Sequence, residues 1–346
     1  MKPRDIDDHH LLPQLTSVEI CAGAGGQALG LEMAGFDHSL LVEIDAPACA
    51  TLRLNRPSWN VQQADLRQIS LLPYRGIDLL AGGVPCPPFS IAGKQLGSND
   101  ERDLFPEALR FVEESMPKAV MLENVRGLAG KNFQSYRNLI LRRLESLGYV
   151  CDWKLVNASD FAVPQLRPRF ILVALKEDFA PYFRWPAKSH IRNTVGSALG
   201  DLMKERGWTG AENWIIKSND VAPTLVGGSK KHGGADLGPS RAKQKWAELG
   251  VDGKGIANDP PDASAPFDLM PRLTLRMAAR IQGFPDDWEF SGKKTATYRQ
   301  IGNAFPPPVA HAIGIAIRDA LHQVKPTESE ESMTQLSLLS SFAHQD

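Results

Sequence analysis

Two stretches of the chain place reactive side chains where the backbone is restrained. In Gly82-Gly-Val-Pro-Cys-Pro-Pro-Phe-Ser90 a thiol follows an apolar run over 77–83 that reads as a strand. A thiol held between prolines at the carboxyl edge of a sheet is a nucleophile candidate, which singles out Cys86. In Glu123-Asn-Val125 a carboxyl ends the next apolar run, 118–125. Beside a nucleophilic thiol, Glu123 could protonate a substrate nitrogen. In Gln165-Leu-Arg-Pro-Arg169, Arg167 and Arg169 stand two positions apart and project to one side of an extended chain. Such a pair can bind a phosphate or a carbonyl. Cys21, Cys49 and Cys151 read instead as small packing residues.

A second set of residues has the pattern of a binding site. Cys21-Ala-Gly-Ala-Gly-Gly26 lies between a strand and a helix. Gly23 and Gly25 in that turn let backbone N–H groups approach a ligand at a helix N-terminus. Glu43 ends the following strand, where an acid can grip ribose hydroxyls, and Asp65, after a third strand, could accept from an adenine amino group. Asn303, in Arg299-Gln-Ile-Gly-Asn-Ala-Phe-Pro-Pro-Pro308, could turn back toward this turn.

The elements that must position these groups alternate in type. Strands are expected over 17–22, 39–45, 60–64, 77–83 and 118–125, and helices over 27–35, 48–55, 106–115 and 135–148. Tyr149–Ala158 and Arg169–Leu175 add two more strands. The alternation predicts a doubly wound, mostly parallel α/β sheet. Residues 186–270 mix Gly, Pro, Asn and Lys with short weak elements and read as a second, smaller and irregular domain. Helices return at 274–282, with Thr274 as N-cap, and at 309–324.

Composition bounds the class. The 346 residues are 42% apolar and 23% charged, ordinary globular values that exclude a wholly disordered chain. Four cysteines make no disulfide framework. No eighteen-residue apolar run predicts a membrane span, and the first twenty residues lack a signal-peptide core, so a cytoplasmic protein with reduced thiols is expected. Net charge is −1, yet residues 186–300 carry 17 basic and 13 acidic side chains. Lys230, Lys231, Arg241, Lys243 and Lys245 cluster there, in and after a Gly-rich stretch suited to phosphate contact.

The ordered set GAGG, GVPCPPFS, ENV, QLRPR, PRLTLRMAARIQGFP and QIGNAFPPPVA, spread over 17–322, resembles the DNA (cytosine-5) methyltransferases of bacterial restriction-modification systems. The resemblance implies a Rossmann-like, S-adenosylmethionine-binding catalytic domain over 1–184 plus 292–324. It implies a target-recognition domain over 185–291 and leaves 325–346 as a disordered acidic tail. It implies methyl transfer from S-adenosylmethionine to C5 of a cytosine flipped out of double-stranded DNA. Cys86 would add to C6, Glu123 would hydrogen-bond N3 and the 4-amino group, and Arg169 would hold O2. Arg167 would support the site or contact the backbone. Gly23, Gly25, Glu43, Asp65, Pro85 and Asn303 would hold the cofactor, and no metal is implied. Residues 90–103 resemble the loop that closes over DNA. The chain departs from the family pattern at Cys21 and Ile44, where aromatic rings often sandwich adenine, and at Ala92, where a polar side chain can fill the vacated base space.

The expected partners are duplex DNA and a cognate restriction endonuclease, with the chain a monomer. Gln335-Leu-Ser-Leu-Leu339 resembles the short peptide by which bacterial proteins dock on the replication sliding clamp. Folding back onto the catalytic domain is the alternative use of that peptide. Three rival functions make different demands on the sequence. A zinc cytidine deaminase needs His-x-Glu and Pro-Cys-x-x-Cys, and the chain has neither. An RNA methyltransferase of the same family would not need the sizeable 186–270 insert. A non-catalytic DNA-binding relative would not need Cys86, Glu123 and Arg169 together.

Overall fold

A computed structural model of the protein describes residues 13–85, 103–228 and 234–325. Cys86, Ala92, Lys230, Lys231 and Gln335–Leu339 lie outside the described residues. Strands β1 (Leu15–Ile20), β2 (Phe36–Glu43), β3 (Val61–Gln63), β4 (Leu79–Gly83), β5 (Ala119–Val125), β6 (Tyr149–Asn157) and β8 (Pro168–Lys176) form one seven-stranded sheet. Its order is β3-β2-β1-β4-β5-β8-β6. The short β7 (Gln165–Leu166) pairs instead with β9 (Ala222–Pro223). Pairing is parallel from β3 to β5, whereas β8 runs antiparallel to both β5 and β6. The expectation of a mostly parallel sheet holds, and the one reversed strand has a local cause. Residues 158–167 between β6 and β8 are too few for a crossover helix, so the chain returns beside itself.

Helices α1 (Gly26–Met33), α2 (Ala46–Asn55), α3 (Phe105–Ser115) and α4 (Gln134–Ser146) follow the expected alternation. On one face, Phe105, Phe111, Ile140 and Leu144 bury against Val18, Leu80, Val120 and Leu172. On the other, α10 (Pro307–Leu321) sets Ala310, Ile313 and Ile317 against Leu31 of α1 and Ala34, which caps that helix. The strands β1, β4 and β5 are thus covered on both sides, which suits their near-continuous apolar sequences. Crossing from β3 back to β4 leaves a crevice at the carboxyl ends of β1 and β4. In open α/β sheets this is where ligands bind.

The stretch after Trp185 is more helical than its composition suggests. It holds α5 (Val195–Lys204), α6 (Ala211–Lys217), α7 (Ser240–Glu248) and α8 (Leu275–Gln282), followed by α9 (Lys294–Asn303). Thr194 and Thr274 cap α5 and α8, the latter accepting from Met277 N–H at 3.2 Å. Gly196 and Gly200 obscure α5 in the sequence because glycine weakens a helix interior. Here they admit Ile215 of α6, which comes so close that a Cβ on Gly196 would stand 2.4 Å from the Ile215 carbonyl oxygen. A third apolar cluster joins Trp208, Trp214 and Trp246 to Leu29, Leu52 and Trp59, so burial runs across the expected boundary near 185. Among the described residues no helix is long and apolar enough to cross a membrane.

Candidate active site

A cleft of about 440 Å³ opens at the crevice, and Gly23, Glu43, Asp65, Pro85, Glu123 and Asn303 all line it. Six expected site residues therefore converge from six different parts of the chain. Glu43 is held at the end of β2 by its own neighbours. Its Oε1 accepts from the N–H groups of Ile44 (2.9 Å) and Asp45 (2.7 Å), and its Oε2 accepts from Gly23 N–H at 2.8 Å. One carboxylate thus ties the glycine turn to the second strand and still presents lone pairs to the cleft. Asp65 caps the turn after β3, accepting from Arg67 N–H at 3.0 Å, and its other oxygen meets the Arg67 guanidinium at 3.2 Å. Cys21 and Ile44, where the family pattern often has rings, also line the cleft.

Gly23 and Gly25 play different parts in the turn. Gly23 has φ +55° and open space where a Cβ would be, so a ligand can come against its backbone. Gly25 (φ +85°) is the N-cap of α1 and faces inward. A Cβ there would lie 2.7 Å from Leu52 Cδ2 and 2.8 Å from Trp288 Cζ2, so it is required for packing. Trp288 also donates its Nε1 hydrogen to the Ala24 carbonyl at 3.2 Å. Nothing in the sequence around Trp288 signals this bracing of the turn from 264 residues away.

At the inner end of β5, Glu123 Oε1 meets Arg169 Nε at 2.5 Å, with the two side chains only 14% and 12% exposed. The pair spans the antiparallel β5–β8 pairing. Glu123 Oε2 lies 3.3 Å from where a Cβ on Gly83 would be, so its carboxyl rests against the strand end that leads to Cys86. Leu104 N–H approaches the Pro85 carbonyl at 3.5 Å, bringing together the two described ends on either side of Cys86.

Arg167 takes another role. It is 1% exposed and donates to three carbonyls, those of Leu225 (2.8 Å), Gly302 (2.9 Å) and Ala304 (2.9 Å). Burial, with Arg169 nearby, pushes its guanidinium well below the ordinary arginine range. Arg167 is a strut enclosed by backbone, with Arg169 the arginine turned toward Glu123. Gln165 and Gln282 complete this knot and were not singled out from sequence. Gln165 accepts from Leu225 N–H at 2.8 Å and donates to Gln282 Oε1 at 2.7 Å, while Gln282 donates to the Ala304 carbonyl. The knot binds segment 224–228 to the end of α9, and Asn303 adds a bond from Nδ2 to the Gly228 carbonyl at 3.1 Å.

The remaining expected DNA-contacting residues sit on α7. Arg241 and Lys245 are exposed and, four positions apart, share a face, whereas Lys243 is tied to Asp236 at 2.9 Å.

A doubly wound sheet whose next-to-last strand in spatial order, β8, is reversed, with a strand-end carboxylate cleft at its switch point, fits an α/β methyltransferase. The model of the C-5 cytosine-specific DNA methylases matches residues 15–319, and the chain belongs to that family. It is 59% identical to the Type II methyltransferase M.NaeI of Lentzea aerocolonigenes, over 90% of this chain and 76% of that protein. It is 57% identical to the Type II methyltransferase M.NgoMIV of Neisseria gonorrhoeae, over 89% of this chain and 98% of that one. Among solved structures, one described as a DNA modification methyltransferase of an Escherichia coli prophage superposes with a TM-score of 0.65 at 25% identity, covering 89% of this chain and 99% of that one. The Dnmt2 methyltransferase of S. pombe shares the fold at a TM-score of 0.59 and 17% identity, over 88% of this chain and 98% of that one.

Proposed function

We propose that this DNA cytosine-5 methylase uses S-adenosylmethionine to methylate a cytosine flipped out of a specific duplex sequence, as the modification partner of a type II restriction endonuclease. The observation that carries the reading is the single cleft in which Glu43, Asp65, Asn303 and Glu123 meet beside the strand end leading to Cys86. The residues present fit the cofactor: an open glycine turn, one acid for the ribose and one for the adenine amine. When bound, S-adenosylmethionine supplies an electrophilic methyl group on a sulfonium.

The chain's own residues do the rest. C5 of cytosine is a poor nucleophile. Cys86 as thiolate adds to C6, and the C5–C6 double-bond electrons are released to C5, which becomes an enamine carbon able to take the methyl group. Negative charge builds on the pyrimidine as the thiolate adds. Glu123 relieves it by donating its carboxyl proton toward N3 and accepting from the 4-amino group, and Arg169 steers Glu123 and holds O2. The C5 proton then leaves to base, the C5–C6 double bond re-forms and Cys86 is expelled. Arg167 positions the site through the knot at 224–228 and 302–304.

Residues 1–184 with 292–324 form the catalytic domain in this reading, and 185–291 the target-recognition domain. Lys230, Lys231, Arg241, Lys243 and Lys245 face phosphates, while loops of that region read base edges. The protein works as a cytoplasmic monomer. Gln335–Leu339 docks on the sliding clamp, and a chain ending at Lys325 is expected to lose retention on clamp-coated resin. Equal retention of both chains sinks that part.

The main test is transfer of labelled methyl from S-adenosylmethionine to duplex DNA and to tRNA, with the parent and Cys86→Ala. Label on C5 of cytosine in DNA, lost in the variant, is the expected result. Label on tRNA alone overturns the DNA assignment.

A further inference from the structure

Past Glu123 the strand β5 ends at Val125, and the chain makes two short turns, Arg126–Ala129 and Lys131–Phe133. Val125 is the one exposed residue of β5, and Arg126 and Lys131 are exposed beside it. Neither cationic side chain has a hydrogen bond or an ion pair among the described residues. On the flanking helices the pattern is different. Arg110 is tied to Glu107 and Glu114, Arg143 to Glu113, and Arg137 to two backbone carbonyls.

The two free cations stand on a braced turn. Leu128, only 2% exposed, is buried in the core cluster beneath it. Arg137 donates to the carbonyls of Leu128 (2.6 Å) and Gly130 (2.8 Å), and its guanidinium lies 5.9 Å from the centre of the Phe170 ring. Phe170 in turn stacks on Trp153, with ring centres 4.7 Å apart. Gly130 N–H donates to the Gly127 carbonyl at 3.0 Å, and Phe133 N–H to the Gly130 carbonyl at 3.0 Å. Cations shown from a backbone already fixed lose less freedom when they meet a ligand. Two of them, unpaired and close in sequence, suit an anion that carries more than one charge. Position identifies which anion. Arg126 follows Glu123 by three residues, so their Cα atoms are within about 11 Å of each other. A cytosine that reaches Glu123 stays joined to its own deoxyribose and to a phosphate on either side. Those phosphates must come to rest near the end of β5, and the exposed Val125 offers the sugar an apolar surface.

We propose that Arg126 and Lys131 hold the two phosphates that flank the target cytosine. The inference rests on the DNA reading above. It adds a second phosphate-binding element, on the turn after β5, to the one on α7, and it gives this element the task of fixing the nucleotide whose base enters the cleft.

The test uses the full chain and a duplex centred on the cytosine that labelled methyl marks. A second duplex has uncharged methylphosphonates in place of the two phosphates flanking that cytosine. The parent is expected to bind the second duplex about tenfold more weakly than the first. Arg126→Gln with Lys131→Gln is expected to bind the first duplex about tenfold more weakly than the parent does. On the second it should lose about twofold or less, because the charges it would have met are already gone. Its melting temperature and its affinity for S-adenosylhomocysteine are expected to match the parent's, since both side chains lie in solvent. Arg241→Ala with Lys245→Ala, on α7, should keep the parent's full loss between the two duplexes. A variant at 126 and 131 that binds the first duplex as the parent does, or that shows the parent's full loss between the two, would overturn the assignment. A parent chain that marks no cytosine in duplex DNA would remove the DNA reading itself, and this inference with it.

Discussion

The cleft and the basic segment hold their charged groups in opposite ways. In the cleft, Glu43 accepts three backbone N–H groups and Glu123 is pinned by Arg169. On α7, Arg241 and Lys245 stand in solvent and Lys243 alone of the three is tied, to Asp236. A charge already fixed by backbone needs little reorganisation when a ligand arrives, which favours one ligand in one pose. An exposed cation binds phosphate by releasing counterions, which favours any duplex at low salt. Under the proposed function the difference would separate two tasks: the cleft would select a molecule and a reaction, and the basic face would hold a polyanion without reading its sequence by charge.

The largest expected effect lies in the cleft. Glu123→Gln should lower methyl transfer by about a hundred- to ten-thousandfold while S-adenosylhomocysteine binding, read by calorimetry, stays near the parent value. A loss of cofactor binding to the same degree would mean that Glu123 shapes the pocket and takes no part in the chemistry. Next comes the strut that joins the two regions. Arg167→Met strips three carbonyls of their donor and should cost about 3 kcal/mol of unfolding free energy in urea titrations. An unchanged midpoint would show that segment 224–228 is held by other means. Glu43→Ala should weaken S-adenosylhomocysteine by about tenfold or more, since it removes a charged partner and frees the Gly23 turn.

The basic face is expected to respond more gently. Arg241→Ala with Lys245→Ala should weaken DNA binding about equally for target and non-target duplexes. The slope of log affinity against log salt should become shallower by about 1 per cation removed. A loss confined to one sequence would make these residues base readers. The smallest effect concerns the α5–α8 junction. Hydrogen bonds from Arg280 and then Arg276 hold the Asp286 carboxyl down at about 2, below its ordinary 3.8. Its stabilisation is therefore full above about pH 4 and fades as pH falls toward 2. The gap in urea midpoint between the parent and Asp286→Asn should narrow from pH 5 to pH 3, and a gap that widens would reverse the sign.

Much of the cleft was legible beforehand because its residues obey local rules. A strand end followed by glycines, and an acid at the end of the next strand, are set by spacing along a few dozen residues. Gly23, Glu43, Asp65 and Glu123 were found that way. The knot was not legible. Gln165, Gln282 and Trp288 are ordinary polar or aromatic residues in sequence, and each has a partner more than a hundred positions away. The helix α5 was masked for a related reason: Gly196 and Gly200 read as breaks until Ile215 occupies the space they leave.

Residue order alone therefore settled the alternation of strands and helices, the Gly-rich turn, the strand-end acids and the family they spell out. Folding settled the reversal of β8, the division of the two arginines into one that donates to three carbonyls and one paired with Glu123, and the inward face of Gly25. It also brought Gln27 and Glu19 into the cleft wall. The reason is physical: hydrophobic period and turn chemistry act between near neighbours, whereas the partner of a buried polar group depends on which distant backbone arrives beside it.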